Sequence, residues 1–231
     1  MTGRAEVAAL AVAFAVSGLV AVALAFAGVR QYEILARAGG FTQATFHVDD
    51  RGIRRDVVME LPALLDWHHR WLLYVTARVA DPPAAPGVAV FTPDEYAHMA
   101  DVRRVFIGAQ AAALVAGVTA IVLVARARHR GAIVALVLIR RASLAAAAVV
   151  AIVGLAAAFA FDALFLLFHE IFFPQGNFLF PADSNLLALY PDQYWYGVTL
   201  RVGVSFVGAM SLIALVMTAT LRRSRRYTPR S

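Results

Sequence analysis

Two segments of the sequence place histidine near carboxylates at spacings that suit proton transfer. In the first, Asp101 follows His98 by three residues, and Glu95 precedes it by three. Residues with this spacing lie on one face of a helix. A carboxylate there can hold an imidazole in one tautomer and stabilise its charged form. The same spacing is equally typical of a solvated helix start with surface ion pairs, so the pattern alone leaves both interpretations open.

The second segment places His169 among phenylalanines, in Phe168-His-Glu-Ile-Phe-Phe-Pro174. An ionisable side chain is costly to bury in apolar surroundings without a partner. A neutral imidazole there could act as a base near neutral pH. Asp162 lies seven residues earlier, two helical turns back on the same face. A carboxylate inside an apolar run is a candidate functional residue. The structural alternatives are an interfacial anchor histidine and a polar lock between helices.

The remaining histidines are weaker candidates. His68 and His69 stand between two tryptophans, as on the polar face of a helix. His47 is predicted in a strand or loop, and His129 in a basic loop. The sequence has no nucleophile elbow, phosphate-binding glycine loop or zinc-protease motif, and no cysteine. We therefore predict no metal site.

Composition indicates a membrane protein. Hydrophobic residues make up 61% of the 231 residues and charged residues only 16%, outside the usual mix of a soluble domain. The formal net charge is +6. The arginines cluster at the ends of apolar runs and form no basic stripe interleaved with aromatics, which argues against nucleic-acid binding.

Four apolar runs are long enough to cross a bilayer. We predict spans at about residues 7–29, 105–124, 142–168 and 198–221. The first run is longer than a signal-peptide core of about 7–15 residues, which predicts an uncleaved span. The short run Ile133–Ile139 is predicted to lie along the membrane interface, because it is too short to cross.

Arginine distribution predicts the orientation. The two strongest clusters lie between spans two and three and in the C-terminal tail: Arg126, Arg128, Arg130, Arg140, Arg141, Arg222, Arg223, Arg225, Arg226 and Arg230. Loops rich in arginine stay in the cytoplasm. This rule predicts cytoplasmic termini for an inner-membrane protein. Segments 30–104 and 169–197 would then face outward, carrying both candidate histidine sites.

The outer segments are predicted to hold a small folded region. Residues 42–58 alternate apolar and polar side chains around a turn, which predicts a hairpin. Leu61–Val79 reads as an amphipathic helix, and Thr92 as the N-cap of a helix that continues into span two. The aromatic residues of the Leu61–Val79 helix are Trp67, Trp71 and Tyr74. They and the aromatic residues of Tyr190–Tyr196 are expected at the headgroup level. The predicted fold is an α-helical polytopic membrane protein with four transmembrane helices and a small mixed α/β extracytoplasmic region between spans one and two.

Two motifs resemble those of the bacterial lipoprotein intramolecular transacylase family. Glu95-Tyr-Ala-His-Met-Ala-Asp-Val102 is similar to its Glu-x-x-His-Met-x-Asp-Val motif. Phe168–Pro174, with Gly176-Asn-Phe-Leu-Phe180 and the stretch 186–195, resembles its second, longer motif. The four-span layout and the large first outer loop match as well. Phe178 departs from the tryptophan expected in the family.

The resemblance implies an acyltransferase that needs no cofactor. One acyl chain would move from the sn-2 ester of an S-diacylglyceryl cysteine to its α-amine, giving a lyso-form lipoprotein. The implied catalytic pair is His98 and His169, with Asp101 orienting His98 and with Glu95 and Asp162 in support. Which histidine is the base stays open at this point. The implied partners are the diacylated lipoprotein N-terminus and membrane lipid.

Two other functions are compatible with the residues. One is a non-enzymatic four-helix membrane protein, a subunit or assembly factor that has kept the fold, because a shared fold does not imply a shared activity. The other is a metal-dependent membrane lipid hydrolase that uses the histidines and Asp101 as ligands.

Overall fold

The computed structural model describes residues 3–226. Its helices and strands run, in chain order, α1 (Arg4–Phe26), α2 (Val29–Gly39), β1 (Gln43–Asp50), β2 (Ile53–Glu60), α3 (Leu61–Val75), β3 (Val88–Ala89), α4 (Pro93–His129), α5 (Ala132–Phe159), α6 (Phe161–Phe172), α7 (Asn185–Leu189) and α8 (Asp192–Arg226). Arg230, part of the predicted cytoplasmic tail, lies outside the described residues.

Four of these helices are long and apolar enough to cross a membrane: α1, α4, α5 and α8. Large apolar side chains stand fully exposed along them, among them Leu114, Ile121, Ile152 and Leu215. Such side chains would be unfavourable in water but suit contact with lipid. The predicted α-helical membrane fold with a small sheet is confirmed.

The described residues fall into two compact units. The helical unit contains the described parts of Met1–Ala23, Gln110–Phe159 and Leu200–Ser231. Its core is rich in alanine, which lets helix backbones approach closely. Gly18 marks a close approach of α1 to α8, because a Cβ there would lie 2.7 Å from the buried ring of Phe206. An ion pair between Glu6 and Arg130 ties α1 to the end of α4.

Two helix boundaries differ from the prediction. The segment Ile133–Ile139 belongs to α5, so its assignment as a separate interfacial piece is wrong. Arg140 and Arg141 are good helix formers, and their charges do not end a helix. The predicted third span, 142–168, is two helices, because Ala160 leaves the helical conformation at φ −137° and ψ 45°. The apolar run continues across this break, so hydropathy does not reveal it.

The α/β unit contains Leu24–Ala109 and Ala160–Thr199. The predicted hairpin is confirmed: β1 pairs antiparallel with β2 from Gln43 opposite Glu60 to Asp50 opposite Ile53. Arg51 and Gly52 both have positive φ, as a two-residue hairpin turn requires. The two-residue strand β3 pairs with the other edge of β1 and was not predicted, since two residues carry no alternation.

The core of the α/β unit is aromatic. Helix α3 contributes Trp67, Trp71 and Tyr74, all of them buried, and Tyr190 and Tyr194 are buried with them. The expectation that these aromatics rest at the headgroup level is therefore wrong. A helix lying on a bilayer and a helix covering a small core bury the same apolar stripe, so the sequence period does not separate the two.

Candidate active site

The first turn of α4 is fixed by a reciprocal cap. The backbone N–H of Glu95 donates to Thr92 Oγ1 at 3.2 Å, and the N–H of Thr92 donates to Glu95 Oε2 at 2.7 Å. This capping box satisfies two backbone donors that a helix start otherwise leaves open. The helix then continues without a break through His98 and Asp101 to His129, as predicted.

The same Glu95 carboxylate holds the chain that joins α6 to α8. Its Oε1 accepts from Ser184 Oγ at 2.5 Å and from the backbone N–H of Leu186 at 2.8 Å. Glu95 is only 1% exposed, and a buried carboxylate is tolerated when such donors surround it. Its role in the structure is to hold this connecting segment against the start of α4, one turn before His98.

His98 lies one turn into α4, with a 6% exposed side chain. Its ring lies 4.8 Å from the ring of Phe173 and 5.4 Å from that of Phe180, measured between centroids. The Nδ1 atom is buried and has no hydrogen-bond partner among the described residues. A buried polar atom without a partner is costly in a folded protein, so a group positioned this way suits a ligand that supplies the missing bond.

His169 lies near the end of α6, and its tautomer is set by the backbone. Its Nδ1 lies 2.8 Å from the carbonyl oxygen of Phe165. A carbonyl oxygen only accepts, so Nδ1 carries the proton, and in the neutral ring Nε2 holds a free lone pair. Rings of Phe165, Phe173 and Phe178 lie 4.3 to 5.4 Å from it between centroids.

The structure brings the two predicted histidines together. The ring centroids of His98 and His169 are 6.2 Å apart and their planes differ by 15°. Two imidazolium rings at this separation among phenylalanines would repel, which disfavours the doubly charged pair. We call His98 and His169 the histidine pair. It can hold one proton and pass it between substrate atoms.

Asp101 lies beside the pair, but its hydrogen bonds go to other groups. Its carboxylate accepts from Arg104, from the amide of Gln175 and, at 2.6 Å, from Asn177 Nδ2. Asn177 in turn interacts with the side chain of His98. The Asn177 amide oxygen also accepts from Gln175 Nε2 at 3.2 Å, so both amides belong to one hydrogen-bonded group around Asp101. Asp101 is thus connected to His98 through an amide side chain.

Asp162, the other predicted supporting residue, lies on the exposed first turn of α6, seven residues before His169. It lines a cavity of about 460 Å³ together with Leu35, Asp192 and Gln193. Neither His98 nor His169 lines that cavity.

A second buried histidine lies in the same unit. His68 Nε2 lies 3.0 Å from the carbonyl oxygen of Ala27, and Nδ1 lies 3.2 Å from the Tyr190 hydroxyl. The ring stacks on Tyr32 at 4.6 Å. Burial lowers the pKa of His68 to about 4, so this ring is neutral at physiological pH. His68 with Tyr32, Tyr190 and Tyr194 is called the His68 cluster. The prediction of a polar helix face holds only for its exposed neighbour His69.

The other two histidines lie in different surroundings. His47 is in β1 and pairs with Asp56 on β2 at 2.6 Å, and His129 ends α4. In the part of the chain that the structure describes, no three His, Asp or Glu side chains are grouped so that they could hold a metal ion.

Sequence reasoning missed three residues of the site. Gln175 and Asn177 are partners of Asp101, and Ser184 is a partner of Glu95. They come from a segment 74 to 89 residues further along the chain than the residues they contact. The sequence signal that could have found Asn177 is its position inside the second motif, whereas Gln175 and Ser184 lie between the pieces of that motif.

A family model described as lipoprotein intramolecular transacylase Lit matches residues 9–195 of this chain. Comparison with curated proteins gives no match.

Two solved structures are similar over nearly the whole chain. One is the in meso structure of the membrane integral lipoprotein intramolecular transacylase Lit from Bacillus cereus, with a TM-score of 0.70 and 14% identity, covering 97% of this chain and 98% of that one. A structure of the Bacillus cereus protein with a histidine-to-arginine mutation gives 0.69 and 13%, covering 98% and 94%. At this identity the likeness shows a shared fold.

Proposed function

This chain belongs to the lipoprotein intramolecular transacylase family, and from that membership and the histidine pair we propose that it transfers an acyl chain within a lipoprotein. The substrate is the N-terminal S-diacylglyceryl cysteine. The acyl chain leaves the sn-2 ester of the glyceryl group and joins the cysteine α-amine, so the product is an N-acyl, S-monoacylglyceryl lyso-form. The observation that carries the proposal is the closeness of two imidazoles, each with an open ring nitrogen.

The protein's main chemical task in this reaction is to transfer protons. Donor ester and acceptor amine belong to one molecule, so holding them in contact already removes much of the entropic barrier. What remains is to take protons from nitrogen and to give one to the departing glyceryl oxygen. Histidine is the side chain best suited to both tasks near neutral pH.

We assign the proton steps as follows. The α-amine is largely charged at neutral pH and gives one proton to the free Nε2 of His169, which releases it to solvent. The neutral amine attacks the ester carbonyl, the C–N bond forms, and nitrogen loses its second proton to Nδ1 of His98. The ester C–O bond then breaks while the glyceryl oxygen takes this proton from His98. The proton released to solvent balances the charge that the amine brought.

This assignment keeps one proton on the pair at a time. The separation of 6.2 Å between ring centroids favours that, because a second positive charge among phenyl rings would be repelled and poorly solvated. Asp101 is a positioning residue in this scheme: through Asn177 it orients the His98 ring. Glu95 acts one step further away, by holding the connecting segment in place.

The surroundings of the pair suit a lipid substrate. Phenylalanine rings from α6 and the following segment enclose His169, and acyl chains pack well on such a surface. The arginine distribution supports an orientation with both termini in the cytoplasm and the site at the outer face of the membrane, which we propose is a bacterial inner membrane. Diacylated lipoproteins are anchored at that face by their acyl chains.

The direct test is the chemical structure of the product. The full chain is expressed beside a reporter lipoprotein in cells that otherwise keep the diacyl form, and the N-terminal lipopeptide is analysed by mass spectrometry. We expect one acyl chain on the amine and one on the glyceryl group, with unchanged total mass. A reporter that stays a free-amine diacylglyceryl form beside well-assembled protein would sink the proposal. Chelator-sensitive release of free fatty acid would point to the metal-dependent hydrolase instead.

A further inference from the structure

A cavity in the α/β unit lies beside the site and takes no part in the proton steps. It encloses about 430 Å³ between the hairpin β1–β2, the start of α4 and residues 180–185. We call it the hairpin cavity. Its size is that of an ordinary ligand pocket. Six of its lining residues carry the argument: His47, Asp49, Arg54, Phe91, Phe180 and Asp183.

Phe180 separates the hairpin cavity from the histidine pair. Its ring meets the His98 ring nearly edge-on, at 5.4 Å between centroids and 80° between planes, and the same residue lines the cavity. Consecutive Cα atoms are about 3.8 Å apart, so two residues of an extended chain span roughly 7 Å. A chain that leaves the reacting centre beside His98 therefore reaches the cavity within about two residues.

The lining of the hairpin cavity differs from that of His169. Rings of phenylalanine enclose His169, whereas the cavity presents charged side chains. Arg54 and Asp183 form an ion pair at 2.6 Å, yet their side chains remain 62% and 48% exposed. They can accordingly exchange this partner for a ligand group at modest cost, because exposed ion pairs contribute little to stability.

We propose that the hairpin cavity binds the polypeptide that follows the lipid-modified cysteine of the substrate. This inference rests on the proposed function, in which the cysteine carries acyl chains on one side and a peptide on the other. The two surroundings of the site match these two parts. Acyl chains lie against the rings around His169, and the first residues after the cysteine pass Phe180 into the hairpin cavity, where the charged side chains of Arg54 and Asp183 lie. Arg54 and Asp183 select among peptides by the charge of those residues.

The test uses the full chain and three synthetic substrates with the same lipidated cysteine. One continues with two aspartates, one with two lysines, and one is the cysteine amide with no peptide. Asp183→Arg places two positive charges at the cavity. We expect kcat/KM for the acidic peptide, divided by that for the basic one, to rise about tenfold. Arg54→Glu makes the same position negative, and the ratio should fall by a similar factor.

A matched control is Asp66→Arg. Asp66 pairs with Arg70 at 2.7 Å with side-chain exposures of 52% and 46%, close to those of the cavity pair, but lies outside the cavity. For this variant, kcat/KM for the acidic peptide divided by that for the basic one should equal the wild-type ratio. A ratio that stays constant in both cavity variants, or that moves equally in the control, overturns the inference. If one cavity variant is unstable, the other still tests the inference, because the two variants are expected to change the ratio in opposite directions.

The two proposals fail in distinguishable ways. If the wild type converts none of the three substrates, the proposed function is wrong. If it converts them and the charge ratio ignores the cavity variants, only the peptide site is wrong. The cysteine amide separates the two, since its rate reports acyl transfer with no peptide to bind.

Discussion

The α/β unit buries histidine at two places, and the two sites differ in whether the ring nitrogens have hydrogen-bond partners in the protein. In the His68 cluster both ring nitrogens of His68 have protein partners, the Ala27 carbonyl and the Tyr190 hydroxyl. In the histidine pair, His98 Nδ1 has no partner among the described residues, and His169 uses one nitrogen for a backbone carbonyl. Both sites are ringed by aromatics. A fully bonded histidine stabilises a fold, and a partly bonded one is open to a substrate.

The largest expected effect is on catalysis at the histidine pair. His98→Ala and His169→Ala should each lower the rate of acyl transfer by about 10²- to 10⁴-fold, the range that positioned acid–base groups contribute. Both variants should remain folded in detergent, with melting temperatures lowered no more than that of His68→Ala. Mass spectrometry of a reporter lipoprotein gives the rate. His129→Ala, at the other end of α4, is the control and should keep full activity. Wild-type rates in either pair variant would remove that histidine from the mechanism.

The converse substitution is in the His68 cluster. His68→Ala should lower the free energy of unfolding by about 2–4 kcal/mol, because it leaves a cavity and unpairs the Ala27 carbonyl and the Tyr190 hydroxyl. Activity per folded molecule should stay at the wild-type value. Thermal melting in detergent measures the loss of stability, and the reporter assay measures the activity per folded molecule. His69→Ala, exposed on the next position, should cost less than about 0.5 kcal/mol. A large loss of specific activity in the His68 variant would erase the contrast between the two sites.

The pH dependence of stability sharpens the same comparison. The pKa of His68 falls from 6.5 in the unfolded chain to about 4 in the folded one, through burial. Below pH 6.5 the unfolded chain binds a proton that the folded one refuses, so the free energy of unfolding falls, and the loss is complete below pH 4. At pH 5 this amounts to about 2 kcal/mol. Melting curves of the wild type and of His68→Gln between pH 7.5 and 5 measure it. Parallel curves for the two proteins would contradict the assignment.

The smallest effect concerns the connection from Asp101 to His98. Asn177→Leu should lower kcat about tenfold, the equivalent of one lost hydrogen bond in the transition state, with KM and melting temperature nearly unchanged. Gln175→Leu removes the other amide on Asp101 and should have a weaker effect on kcat. The reporter assay at varied substrate concentration separates kcat from KM. A wild-type kcat for Asn177→Leu would mean that Asn177 does not act through His98.

Local patterns made parts of this structure predictable. The cap at Thr92 and Glu95 involves residues three apart, so the start of α4 and the face shared by His98 and Asp101 follow from the sequence. The hairpin follows from alternation and a glycine turn. The partner of His98 across the site came from the motif resemblance alone, because no spacing rule brings residues 71 positions apart together.

Other parts depend on contacts that leave no local signal. The break at Ala160 carries neither proline nor glycine, and the apolar run passes through it. Trp71 has the surroundings of a core residue although its helix has the pattern of a surface one. Gln175 and Asn177 gain their role only when α6 and α4 meet, since the residue they bind is more than 70 positions away.

The clamp at Glu95 has a consequence for how the enzyme is made. Its two partners from the connecting segment, Ser184 and Leu186, are synthesised 89 and 91 residues later. At about 5–20 residues per second, the ribosome needs roughly 4–18 s to supply them. During that interval the Glu95 carboxylate lacks the hydrogen bonds from Ser184 and Leu186. The site on the nascent chain is therefore incomplete while the earlier helices already contact membrane lipid. The site can therefore assemble only after the segment before α8 has been translated, so the late synthesis of that segment limits when activity begins.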